Sequence, residues 1–130
     1  MNIRLSSFLL LAGLALVLMA GGAEAKEPKW NYAADSGINS VAISADGEYI
    51  VAGSDEDQVY LFSKDGTLLW SYAAGDGIYS VAISSNGETI VAGSLDNNVY
   101  LFSKDSSTPL WSYGTGNRVW SVAISEDGET

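Results

Sequence analysis

The sequence contains no cysteine and no histidine. Without cysteine the chain has no disulfide, no thiolate metal site and no lipid-modified cysteine after a signal peptide. Without histidine it has no Ser-His-Asp triad, no histidine general base and no imidazole metal ligand. These absences exclude many hydrolytic and metal-dependent sites from the 130 residues.

Positive charge is also scarce. The chain has 6 Lys and Arg residues against 16 Asp and Glu residues, and its formal net charge is −10. A nucleic-acid-binding domain displays a basic patch, so we expect no nucleic-acid partner. An excess of negative charge repels anionic partners and favours solubility.

Long hydrophobic runs are limited to residues 8–20, which is thirteen residues. That run is shorter than the roughly 18 residues of a membrane span. Arg4 precedes it and the processing pattern Ala23-Glu24-Ala25 follows, so residues 1–25 are predicted to be a cleaved signal peptide. We expect an exported protein that is secreted, periplasmic or at the cell surface, without membrane insertion after cleavage. A retained anchor is the alternative.

The rest of the chain repeats itself. When Trp30 is aligned with Trp70, 25 of the 40 positions are identical, and a third copy begins at Trp111. A period near 40 residues is typical of stacked or radial supersecondary units. Each copy contains four short runs rich in Val, Ile, Tyr and Phe, bounded by turn residues, with no helical periodicity.

These runs are apolar or small on both faces, as in residues 80–83 and 90–93. In a sheet covered on only one face, apolar and polar residues would alternate more regularly along each strand. Each sheet is therefore predicted to lie between copies of itself. We therefore predict an all-β fold made of β-propeller blades, each with four antiparallel strands. Two blades are expected at residues 38–74 and 78–114.

Two further strands are expected beside these blades. Residues 30–34 are predicted to be an outer closing strand, and residues 119–125 the first strand of the next blade. Residues 26–130 would then hold about two and a half blades of an incomplete ring, whereas closure takes about four to eight. We expect an N-terminal fragment whose remaining propeller closes the ring. Assembly of several short chains into one ring is the alternative.

Two families share features with these copies. Residues 37–54, with a Ser-x-Asp-Gly turn and an Ala-Gly-Ser strand ending, resemble the first half of a WD-repeat blade. The Trp-Asp pair of that family is replaced by Leu61-Phe62-Ser63, and its Gly-His is missing. Residues 59–70 instead resemble the quinoprotein-type (PQQ-like) propeller repeat, in which Leu-Trp follows a turn. The resemblance implies the propeller scaffold.

Quinoprotein dehydrogenases also bind a quinone with calcium. Their vicinal cysteine pair is absent here, so the resemblance implies no cofactor. The acidic cluster Asp55-Glu56-Asp57 suggests calcium, but its counterpart Leu95-Asp96-Asn97 is less acidic. We interpret the cluster as a hairpin turn and expect no metal site and no catalytic carboxylate pair.

Aromatic residues recur at fixed positions of the predicted outer strand. We expect them to pack between blades, in place of the histidine and aspartate network of WD blades; a stacking platform for sugars is the alternative. They are Trp30, Trp70, Trp111, Tyr32, Tyr72 and Tyr113.

The copies differ where the innermost strand begins. Asn39, Tyr79 and Trp120 occupy one aligned position, and Arg118 lies two residues before Trp120. Loops on a rigid scaffold often carry binding, and exposed Tyr, Trp and Arg are enriched in binding hot spots. These four residues are the predicted binding residues at one mouth of the channel. Sequence drift at a tolerant loop is the alternative.

Three functions remain open from the sequence. The first is a non-catalytic interaction scaffold that binds a protein or a glycan through its channel-mouth loops. The second is the N-terminal part of a secreted propeller enzyme whose catalytic residues lie beyond residue 130. The third is a structural repeat of a surface coat.

Overall fold

The computed structural model describes residues 26–129, where the chain forms eight β-strands. The predicted signal segment, residues 1–25, lies outside the described residues. Residues 26–129 contain no helix with the length and apolarity that crossing a membrane requires. The strands are β1 (Ile38–Ile43), β2 (Tyr49–Ser54), β3 (Gln58–Ser63), β4 (Leu68–Ala73), β5 (Ile78–Ile83), β6 (Thr89–Ser94), β7 (Asn98–Ser103) and β8 (Trp111–Gly114).

The strands form two antiparallel sheets of four, ordered β1-β2-β3-β4 and β5-β6-β7-β8. Each strand pairs with the next in sequence, so each sheet is a meander. The register repeats as well: Val41 lies opposite Ala52 in the first sheet, and Val81 lies opposite Ala92 in the second. The two sheets do not close a ring within residues 26–129. The prediction of incomplete, four-stranded antiparallel propeller blades is confirmed.

The turns that join the first two strands of each sheet follow from their Asx-Gly dipeptides. Gly47 and Gly87 have φ angles of 74° and 75°, which residues with a side chain rarely adopt. Ser44 Oγ donates to Asp46 Oδ1 at 2.7 Å, and the backbone N of Glu48 donates to the same oxygen at 3.0 Å. These two hydrogen bonds hold the pKa of Asp46 below its usual value, so the turn is built around an ionised carboxylate.

The two sheets pack face to face, and the main core lies between them. Val51 and Leu61 of the first sheet meet Ile78 and Phe102 of the second, and all four are fully buried. The sheets lie closest along β1, β2 and β5, of which β1 and β5 are the predicted innermost strands. Gly53 permits this approach, because a Cβ there would lie 2.9 Å from Ile78 Cβ.

The outward faces of the two packed sheets show how a neighbouring sheet changes the exposure of a side chain. Val81 is 6% exposed beneath the first sheet, whereas Val41, at the aligned position, is 65% exposed. Ile78 and Ile38 differ in the same way, at 0% and 45%. The side chains are identical and only the covering sheet differs. Burial on both faces therefore comes from a neighbour and not from the sheet itself.

The two flanking segments that were expected to be strands form no ladder. Residues 30–34 and 119–125 are not strands, because neither segment pairs with an adjacent strand among residues 26–129. Both segments still lie against a sheet. The Trp30 ring lies 5.6 Å from the Phe62 ring, and the backbone N of Val119 donates at 3.0 Å to the last carbonyl of β6.

Gly53→Ala is expected to lower the free energy of unfolding by about 1–3 kcal/mol, because the new methyl group overpacks the sheet interface at Ile78. Urea unfolding followed by tryptophan fluorescence measures the change. Gly37→Ala is the matched control, since a Cβ at Gly37 meets nothing within 4 Å. That control should stay within about 0.5 kcal/mol. An equal loss of free energy of unfolding in both variants would contradict the close approach of the two sheets at Gly53.

Candidate functional site

One end of the sheets gathers the predicted binding residues, and we call it the upper end. It consists of residues 35–37, 55–57, 74–77, 95–97 and 115–118, together with the adjoining residues Asn39, Tyr79 and Trp120. The inner strands β1 and β5 begin here, each with a β-bulge. Ile38 pairs with Ser54 and Ser40 pairs with Gly53, which leaves Asn39 as the extra residue. Tyr79 holds the same place in β5. A bulge turns its side chain away from the regular alternation of the strand.

Tyr79 and Trp120 form an aromatic pair at the upper end. Their ring centroids lie 4.9 Å apart with an interplanar angle of 51°, which is a favourable aromatic geometry. Tyr79 is 39% exposed and Trp120 is 59% exposed. Arg118 is also exposed, and its backbone N is held by Asn117 Oδ1 at 2.8 Å. The structure therefore brings two of the four predicted binding residues into direct contact on an accessible surface.

Asn39 occupies the aligned position but is held by hydrogen bonds within the protein. Its Nδ2 donates to the carbonyl of Ile78 at 3.1 Å and to Asp55 Oδ1 at 3.2 Å. The first bond crosses between the sheets. The Asn39 amide therefore ties the two inner strands together, directly beside Tyr79.

The aromatic residues of the outer strand lie against the third strand of the next sheet. Trp70 lies 5.2 Å from Phe102, and Tyr72 lies 5.3 Å from Tyr100, measured between ring centroids. Trp70 Nε1 also donates to the carbonyl of Lys104 at 2.8 Å. The Trp70–Tyr72 pair thus links β4 to the neighbouring sheet.

The two other Trp-Tyr pairs occupy the aligned positions, but their surroundings differ. Trp30 and Tyr32 repeat these contacts on the first sheet, where Trp30 Nε1 donates to the Lys64 carbonyl at 2.8 Å. Trp111 and Tyr113 are 49% and 68% exposed. No described sheet lies beyond them.

Hydrogen bonds from a sheet to the neighbouring sheet or segment add to the packing that the sequence led us to expect. Ser40 Oγ accepts from the backbone N of Val81, and Ser80 Oγ accepts from the backbone N of Val122, each at 3.1 Å. Serine recurs at this position within an otherwise apolar strand. That recurrence was the signal in the sequence, and it was missed.

A second missed feature is a carboxylate network at the upper end of the second sheet. Asp96 Oδ2 accepts from the Tyr100 hydroxyl at 2.6 Å and from the backbone N of Gly75 at 2.8 Å. Asp96 Oδ1 accepts from the backbone N of Asn98 at 2.9 Å. Burial raises the pKa of Asp96, but these hydrogen bonds outweigh it and hold the pKa below its usual value. Burial, and then Asp96, raise the pKa of Tyr100.

The acidic cluster Asp55-Glu56-Asp57 forms the turn between β2 and β3. Asp57 has a φ of 119°, and Asn97, its counterpart in the second sheet, has a φ of 77°. Among residues 26–129 no three His, Cys, Asp or Glu side chains come close enough to hold a metal ion.

Comparison with known proteins addresses the repeat itself. A family model described as outer membrane protein assembly factor BamB matches residues 7–130. The chain belongs to the BamB family. The match confirms the predicted quinoprotein-type propeller repeats. No match was found among curated proteins.

In this BamB-family chain, Trp70→Ala is expected to lower the free energy of unfolding by about 2–4 kcal/mol, because it removes ring packing on Phe102 and the bond to Lys104. Trp120→Ala removes an equally large but exposed side chain and should cost less than about 1 kcal/mol. Thermal unfolding by circular dichroism compares the two. A larger loss for Trp120→Ala would contradict this assignment of roles.

Asp96→Asn is expected to lower the free energy of unfolding by about 1–3 kcal/mol at neutral pH, since an ionised hydrogen-bond acceptor is lost. The lowered pKa of Asp96 means that its stabilisation is present above the ordinary value of 3.8 and is lost as pH falls through the folded-state value. The difference in free energy of unfolding between Asp96→Asn and the unchanged protein, measured by urea unfolding, should therefore shrink as the pH falls from about 5 to about 2.

The exposed carboxyl group of Asp105 supplies the control for the Asp96 experiment. Asp105→Asn makes the same charge change on the opposite end of the second sheet. Because this carboxyl group is exposed and only ion-paired at the surface with Lys104, the variant's free energy of unfolding at neutral pH should stay within about 0.5 kcal/mol of the unchanged protein's. If the difference in free energy of unfolding between Asp96→Asn and the unchanged protein stays constant with pH, stabilisation by the ionised Asp96 carboxylate is contradicted.

Proposed function

We propose that the chain is part of an exported, non-catalytic β-propeller scaffold that binds its partner through the upper end. The observation that carries the proposal is the exposed Tyr79–Trp120 pair, which the start of β5 and the segment after β8 present side by side. Tyr, Trp and Arg dominate binding hot spots, and Arg118 lies in the same loop region. Tyr79 lies on a paired strand that packs against the first sheet, and such prior ordering lowers the entropy lost on binding.

A protein is the partner that we favour over a glycan. The family description names a factor in outer membrane protein assembly, which is a task carried out among proteins. We propose a corresponding role for this chain, in contact with a component of that assembly. Export, through the predicted signal peptide at residues 1–25, would bring it there. The net charge of −10 agrees with a partner that is not a nucleic acid.

The lowered pKa of the turn carboxyl groups agrees with a non-catalytic role. General acid catalysis near neutral pH needs a carboxyl group with a raised pKa. Hydrogen bonds from backbone N–H groups and from serine hydroxyls hold the pKa of the turn carboxyl groups of Asp46, Asp65 and Asp127 below the usual value, so these groups stay ionised. With neither histidine nor cysteine in the sequence, these groups offer little for catalysis.

Further blades of the same propeller are the proposed cover for the outward faces. Val41 is exposed in the first sheet, whereas its counterpart Val81 is covered. Trp111 and Tyr113 likewise lie where Trp70 and Tyr72 find the next sheet. A sheet resembling the two described here would complete both faces by contacts already seen between them.

Photocrosslinking tests the upper end as the binding surface. A photoreactive phenylalanine analogue at position 79 or 120 of the full-length protein, in its own cells, is expected to give adducts with an outer membrane protein assembly component. Mass spectrometry identifies them. The analogue at position 105, at the opposite end of the sheets, is the control and should give few adducts. Equal labelling from position 105, or adducts only with unrelated proteins, would contradict the proposal.

Alanine variants measure the contribution of the pair to affinity. Tyr79→Ala and Trp120→Ala are each expected to weaken binding to the crosslinked partner about thirtyfold, as at a hot spot of about 2 kcal/mol. Their melting temperatures should barely change, because both rings are exposed. Unchanged affinity would exclude the pair as the binding surface.

A further inference from the structure

A polar pocket opens at the upper end of the first sheet, away from the Tyr79–Trp120 pair. It has a volume of about 340 Å³. The chain before β1 forms one side, and the turn between β2 and β3 forms the other. Its lining includes Tyr32, Asp35, Ser36, Glu56, Gln58 and Tyr60.

The same place in the second sheet is occupied by the protein's own groups. There the Asp96 carboxylate binds the Tyr100 hydroxyl at 2.6 Å and the backbone N of Gly75 at 2.8 Å. In the first sheet Glu56 is aligned with Asp96 and Tyr60 with Tyr100. No hydrogen bond joins them. The first sheet therefore leaves open the site that the second sheet fills.

Two hydroxyl groups that line this pocket have no hydrogen-bond partner within the described part of the chain. The Tyr60 side chain as a whole is only 6% exposed, and its hydroxyl makes no hydrogen bond with residues 26–129. Ser36 Oγ is buried and also has no hydrogen-bond partner there. Leaving a buried polar group unsatisfied is costly, and such groups are commonly paired with water or a ligand.

The charge of the pocket is negative. Asp35, Glu56 and Asp57 line it, and no lysine or arginine does. Asp57 is partly engaged, since Gln58 Nε2 donates to its Oδ1 at 2.7 Å. Burial first, and then Tyr32 and these three carboxylates, raise the pKa of Tyr60, which places the charges near its hydroxyl. Anionic ligands are therefore disfavoured.

An organic cation fits these groups better than a metal ion. The described carboxylates do not converge closely enough to ligate a metal. An ammonium group is a donor with three hydrogens, and the pocket offers carboxylates and hydroxyl oxygens as acceptors. The exposed ring of Tyr32 lies 5.5 Å from the Tyr60 ring and adds an aromatic face that attracts cations.

We propose that this pocket binds a primary ammonium group, with Glu56 and Asp35 as charged acceptors and the unpartnered hydroxyls of Tyr60 and Ser36 as neutral ones. A lysine side chain of a peptide and a free polyamine both supply that group. The site is separate from the Tyr79–Trp120 surface and does not depend on the function proposed for it.

Calorimetric titration of the full-length protein with a trilysine peptide and, separately, with spermidine tests the proposal. At least one should bind saturably, and the one that binds identifies the source of the ammonium group. Glu56→Gln and Asp35→Asn should each weaken binding about tenfold or more, as for the loss of a hydrogen bond to a charged group. Tyr60→Phe, which removes one hydroxyl, should weaken it severalfold.

Two controls make the test decisive. Asp105→Asn removes the same charge from the opposite end of the second sheet and should bind as the unchanged protein does. A trilysine peptide whose side-chain amines and N-terminal amine are all acetylated should not bind. Melting temperatures confirm that each variant is folded. Absence of saturable binding, or equal weakening by Asp105→Asn and Glu56→Gln, would overturn the proposal. Tyr79→Ala should keep this binding, which separates the site from the upper-end pair.

Discussion

The structure depends on one constraint: each sheet is apolar on both faces and needs a neighbour on each side. Val81 is 6% exposed and Val41 is 65% exposed, so the same apolar face is buried where a neighbouring sheet covers it and bare where none does. Hydrophobic burial contributes about 25 cal/mol per Å², so covering such faces is a principal source of stability. Four-stranded units in this situation stack side by side, and the shortness of their turns keeps each unit a simple meander.

Directional contacts convert this general attraction into one arrangement. The Trp70 ring packs on Phe102 while its indole N–H donates to the Lys104 carbonyl, so both position and orientation are specified. Ser40 and Asn39 link the inner strands in the same manner. These contacts take the place of a histidine and aspartate network, which the sequence excludes. Hydrogen bonds that cross the interface also satisfy polar groups that burial would otherwise leave unpaired.

Repetition separates what the scaffold requires from what it leaves free. Gly53 and Gly93 recur because a Cβ at either position would collide with a side chain of the next segment. At the upper end the copies diverge, since side chains there are not enclosed between sheets. The position of Asn39 becomes Tyr79 in the next copy, and Glu56 becomes Asp96. One backbone thus presents an aromatic pair in one place and an open acidic pocket in another.

The sequence by itself determined the four-stranded units, their Asx-Gly turns and the aromatic positions, because these follow from local alternation, positive φ angles and a fixed period. Only the tertiary structure decided that Asn39 is tied to the Ile78 carbonyl, 39 residues away, while Tyr79 meets Trp120. It also decided that Asp96 fills a site that Glu56 leaves open. Such outcomes depend on distances across the interface between sheets, which a repeating pattern does not specify.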